Sequence, residues 1–131
     1  MNWLSIRQKL TYDEVQMIIK KLKIVLPQDY CEKIGEINGG ALTDATCIVP
    51  NLGEVAYSRN LSLLENVNGN AIAIFKIMQE KQKNLFPFGS VGNGDYFCFD
   101  LLKQDVVLYM HEKDITIYVC KSYTELLSLL S

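Results

Sequence analysis

His111 is the only histidine in 131 residues, and no two of the four cysteines stand close enough to form a CxxC pair. That scarcity argues against the common zinc sites, which need paired ligands at short spacing. No stretch approaches the ~20 apolar residues of a membrane-spanning helix. The segment Met1 to Arg7 lacks a basic region followed by an apolar run, so no secretory leader is expected and the cytoplasm is the expected compartment. Asn60-Leu61-Ser62 fits a glycosylation sequon, which a chain that is not exported does not use. Charge of one sign is also missing. Thirteen Lys and Arg face fifteen Asp and Glu for a net charge of −2, unlike a general nucleic-acid binder with many cations on phosphates. Internal repeats, low-complexity tracts and linkers are absent.

What is present suffices for one domain over residues 1–131. Hydrophobic residues make up 49% of the chain against 21% charged, which excludes intrinsic disorder. A chain of this length buries roughly two thirds of its unfolded surface and needs no disulfide or metal to fold. Cys31, Cys47, Cys98 and Cys120 therefore read as reduced, half-buried apolar residues.

Local signals predict most elements. Thr11-x-x-Glu14 is a capping box opening a helix over Tyr12–Leu22, with Val15, Ile18, Ile19 and Leu22 on its apolar stripe. Pro27 starts a second helix that buries Tyr30, Ile34 and Ile37 and stops at Asn38-Gly39-Gly40. Thr46–Val49 and Val55–Ser58 read as strands around the turn at Pro50 to Gly53, while Leu61–Val67 reads as a loop or helical turn. Asn70 caps a third helix with Ala71, Ile74, Phe75 and Met78 on one face. Strands are then expected at Leu85–Phe88, Tyr96–Phe99, Val106–Met110 and Ile115–Cys120, with a turn-rich loop over Gly89–Gly94. Short connections make these an antiparallel meander, and Tyr96–Phe99, apolar throughout, reads as a central strand. Ser122-x-x-Glu125 caps a last helix carrying Leu126, Leu127, Leu129 and Leu130. The fold class is α+β, a mainly antiparallel sheet with flanking helices.

Candidate chemistry is sparse. Gly89-x-x-Gly92-x-Gly94 lacks the following helix of a dinucleotide loop, since a strand comes next. A cysteine nucleophile needs His111 within hydrogen-bond reach. Pairing Met110 with Ile115 puts Cys120 at the far end of its hairpin. Pairing Cys98 with Leu108 leaves it roughly 10 Å from His111 at ~3.3 Å per residue. No cofactor is implied. Acids are concentrated late in the chain. Residues 1–83 hold ten basic and nine acidic residues, whereas residues 84–131 hold three and six. Asp95, Glu112 and Asp114 are expected at one sheet end, as a rim that suits a basic partner, as a holder of a hard cation, or as ordinary solvated turn acids.

The order of these pieces resembles the SUKH superfamily. The matching residues are Leu26-Pro27-x-x-Tyr30 with Asn38-Gly39-Gly40, then Phe86-Pro87-Phe88-Gly89, then Gly92-x-Gly94-Asp95-Tyr96-Phe97-Cys98-Phe99-Asp100-Leu101. Val107-x-Tyr109-x-His111-Glu112 and Ser122-Tyr123-x-Glu125-Leu126-Leu127 complete the pattern, and Ala41 to Asn68 is unmatched. The resemblance implies an α+β fold that works by binding protein. Many bacterial members look like immunity proteins that bind a cognate toxin domain, often a nuclease, and a fungal member regulates cell-wall synthesis through protein contacts. Asp95 and Asp100 are the matched positions most open to a partner-binding role, and Glu112 and Asp114 join them as the acidic turn. Direct contact with nucleic acid or membrane is not expected. The alternatives are a scaffold domain without a toxin partner, or a small hydrolase or transferase using the acidic sheet end.

Overall fold

A computed structural model describes all residues, 1–131. Helix α1 runs Tyr12–Leu22, as the capping box requires. The Glu14 amide donates to Thr11 Oγ1 at 3.1 Å and the Thr11 amide donates to Glu14 Oε1 at 2.9 Å, so two orphan donors of the first turn are satisfied. Helix α2 spans Gln28–Lys33 and tightens into a 3-10 turn at Ile34–Glu36. Its expected stripe is correct, since Tyr30, Ile34 and Ile37 are all buried. Helix α3 covers Ala71–Glu80 under the Asn70 cap, whose Oδ1 accepts from the Ala73 amide at 2.8 Å. Helix α4 covers Tyr123–Leu129 and buries Tyr123 and Leu126, while Leu129 is exposed. No helix is long and apolar enough to cross a membrane.

Two antiparallel sheets carry the strands. Strands β1 (Thr46–Val49) and β2 (Gly53–Ala56) form a hairpin. The second strand begins and ends two residues earlier than expected, because the turn closes at Val49 opposite Gly53. The main sheet has five strands in sequence order: β3 (Arg59–Asn60), β4 (Leu85–Ser90), β5 (Tyr96–Asp100), β6 (Val106–Met110) and β7 (Ile115–Cys120). Strand β5 lies in the middle, and Phe97, Cys98 and Phe99 are all fully buried.

Aromatic side chains join helices to sheet. The Tyr30 ring meets Phe99 at 5.0 Å and Tyr123 at 5.2 Å, both edge-on, and Phe88 stacks on Phe99 at 4.2 Å. Such pairs add to the burial that organises the core. Gly89 belongs to this arrangement and not to the loop expected there. It lies in β4 beside a bulge, and a Cβ on it would stand 2.5 Å from the Tyr57 ring. The glycine serves close approach of an aromatic ring, not a turn.

The segment that carried least local signal is tied down by polar bonds. Asn38 and Asn60 are both fully buried. Asn38 Nδ2 donates to the Gln8 carbonyl and to Ser62 Oγ, and its Oδ1 accepts from the Leu63 amide at 2.8 Å. Asn60 Nδ2 donates to the Ile37 carbonyl, and its Oδ1 accepts from the Tyr57 hydroxyl at 2.6 Å. The N-terminal segment joins the same region, since Leu4 and Ala41 exchange backbone bonds of 2.8 and 2.7 Å and Ala41 bridges to Arg59.

Candidate functional site

The antiparallel order brings the start of β5, the end of β6 and the start of β7 to one end of the sheet. Asp95, Glu112 and Asp114 therefore share that end, while Asp100, at the other end of β5, stands apart from them. Asp100 closes the β5–β6 turn: its Oδ1 accepts from the amides of Leu102 at 2.9 Å and Lys103 at 3.0 Å. Asp105 lies near it, and its carboxyl is pushed up by burial first and by Asp100 second.

The three acids at the shared end are used differently. Asp95 Oδ1 accepts from the His111 backbone amide at 3.0 Å and lies 2.6 Å from His111 Nδ1. This contact ties the β4–β5 loop to the β6–β7 turn. Asp114 accepts from the Tyr109 hydroxyl at 2.5 Å and pairs with Lys83 Nζ at 3.2 Å. Those two bonds hold its carboxyl below the usual carboxylate range, the tyrosine bond contributing most. Glu112 is exposed at the turn. It is the acid of this end with the freest access to a partner.

This rim is less acidic than a count along the chain suggests. Lys83 pairs with Asp114, and Lys81 Nζ lies 5.7 Å from the centre of the Tyr109 ring. Both lysines precede residue 84, and the α3–β4 connection returns them to the acidic end. The surface is mixed in sign, with Glu112, Lys113 and the half-exposed His111 at its tip.

The thiols do not meet His111. Cys98 pairs with Val107, one residue earlier in β6 than the expected Leu108 and so farther from His111, because Phe99 already faces Val106 beyond the β5–β6 turn. Four residues then separate that position from His111, roughly 13 Å at ~3.3 Å each. All four thiols are free and buried. Burial pushes every one of them up, Cys120 to about 12. No three His, Cys, Asp or Glu residues are grouped so as to hold a metal ion.

An α+β domain with a five-stranded antiparallel meander, tied to its helices by buried aromatics, is thus the class the fold defines. Residues 12–127 match the family model SUKH_6, described as SMI1-KNR4 cell-wall. The chain belongs to this family, a group of immunity and regulatory domains. No curated protein and no solved structure matches it.

Proposed function

We propose that the chain is a protein-binding domain that acts as an immunity protein, neutralising a cognate toxin by direct contact. The family match over residues 12–127 carries this reading. Thiols held protonated by burial and distant from the lone histidine add support. The docking surface in this reading is the sheet end bearing Asp95, Glu112 and Asp114, with Glu112 as the contact residue and Asp95 and Asp114 shaping the turn around it. Asp100, committed to its own turn, lies outside that surface. The family description names the cell wall, which favours a regulatory protein-binding role as the second reading.

Co-expression with the product of a neighbouring toxin gene, followed by co-purification and an activity assay, tests the immunity reading. A stable complex with suppressed toxin activity is expected. A toxin domain that neither binds nor loses activity overturns it and leaves the regulatory reading. Glu112→Lys tests the surface: the association rate with the toxin should fall several-fold and lose part of its salt dependence. An unchanged rate moves the docking surface elsewhere.

A further inference from the structure

The chain has eleven lysines but only two arginines, Arg7 and Arg59, 52 positions apart in sequence. The fold brings both to one narrow cleft of about 30 Å³, which they line together with Gly39, Ser62, Asn68 and Gly69. The three ion pairs of the protein use Lys76, Lys83 and His111, so neither arginine has a carboxylate of its own. Arg7 is exposed and Arg59 half-buried, so both charges remain accessible to an anion from outside the chain. We infer that Arg7 and Arg59 form a binding site for a single oxyanion group, a carboxylate or a phosphate.

The positions are built, not incidental. The Arg7 amide donates to the Asn38 carbonyl at 2.8 Å, which fixes the N-terminal segment along the edge of the cleft. Gly39 has φ +71, and a Cβ there would stand 2.2 Å from Arg7 Cγ, so the arginine stem lies directly over this glycine. Arg59 is held in β3 opposite Ser90 and bridges to Ala41. Ser62 is fixed from below by Asn38 Nδ2 at 3.2 Å. The amides of the exposed lining residues Asn68 and Gly69 donate no backbone bond within the chain. Forked guanidinium donors suit the paired oxygens of a carboxylate or phosphate, a geometry that lysine does not supply. Size narrows the choice further. One water needs roughly 10–15 Å³, so the cleft takes about two or three water-sized groups, an anionic head and not a nucleotide.

The test is a titration of the intact chain followed by amide and guanidinium NMR signals. Inorganic phosphate and acetate serve as separate probes, with chloride holding ionic strength constant. Saturable shifts at Arg59, Asn68 and Gly69 are expected, weakened by about tenfold or more in Arg7→Gln and in Arg59→Gln. Native-like amide spectra of both variants establish that they fold. Response to phosphate alone assigns a phosphate group, and response to acetate as well assigns a carboxylate such as an acidic side chain of a partner. Shifts that do not saturate for either probe, or that persist undiminished in both variants, overturn the inference. The site stands independently of the acidic sheet end, so its failure leaves the proposed function untouched.

Discussion

Removing the Asn38 side chain is the perturbation with the clearest consequence. Its amide makes three hydrogen bonds, to Gln8, Ser62 and Leu63, and the residue has no exposed surface. Asn38→Ala deletes all three and leaves the Leu63 amide without a partner in a buried setting. A net hydrogen bond contributes about 1 kcal/mol, and a stranded buried donor costs about 1–3 kcal/mol. Gln8 is exposed, so water can replace that bond, and the loss should total about 3 kcal/mol. Urea unfolding measures it, with the midpoint lowered and the slope unchanged. Hydrogen exchange supplies a second readout: amides of Leu4, Arg7 and Leu10, which bond to Ala41, Asn38 and Gly35, should exchange faster than those of β5. Asn38→Asp sharpens the test, since it keeps an acceptor for Leu63 but buries a carboxylate. Burial raises a carboxyl group above its unfolded value. The variant should therefore come closest to wild type below about pH 4 and lose stability as pH rises. A cost below about 1 kcal/mol for Asn38→Ala, with unaltered exchange in the N-terminal segment, would refute the claim that this network anchors the region.

Phe99→Ala should cost about 3–5 kcal/mol by chemical denaturation, because the ring is fully buried against Tyr30 and Phe88. The melting temperature should be the same with and without reductant, and thiol-reactive dye should label no cysteine until the chain is unfolded, since all four thiols are buried. Tyr109→Phe should raise the Asp114 pKa toward its ordinary value in an NMR titration, because the tyrosine bond is the main cause of its depression. The hydroxyl partner is linked in the opposite direction. The bond to Asp114 first and burial second raise Tyr109 to about 12, so its contribution is complete below about pH 10, is lost as pH rises between those values, and should vanish from the alkaline limb in Tyr109→Phe.

Elements whose cause lies within a few residues were legible in the sequence. The Thr11, Asn70 and Ser122 caps each place a side-chain acceptor three residues from the amide it serves, and all three helices start where those caps require. Strands β6 and β7 have their expected limits because a four-residue polar turn separates two runs of β-branched, aromatic and other strand-forming residues. The burial of the middle of β5 was equally plain, since Phe97-Cys98-Phe99 has no polar residue on either face to offer solvent. Gly89 misled because a glycine signals either a turn or a close approach, and only the Tyr57 ring above it distinguishes them. Between Ala41 and Asn68 only the β1–β2 hairpin was legible; Arg59 to Asn68 had no period to read, because buried Asn60 and a two-residue strand hold it.

The acidic site was legible only in part. Placing Asp95, Glu112 and Asp114 at one end follows from strand direction alone, which alternation along a meander sets. Their individual chemistry did not follow, because His111, Tyr109 and Lys83 approach them from neighbouring strands and from the α3–β4 connection. A charge count along the chain separates Lys81 and Lys83 from the acids they face. The same limit hid the arginine pair. The sequence by itself determined the family, the α+β class and most element limits, since these rest on short-range backbone and side-chain preferences. Tertiary structure alone decided that Arg7 and Arg59 line one cleft, that Asn38 holds Leu63, and that Asp114 is shared by Tyr109 and Lys83. Such meetings depend on how elements distant in sequence pack together, and no local preference encodes that distance.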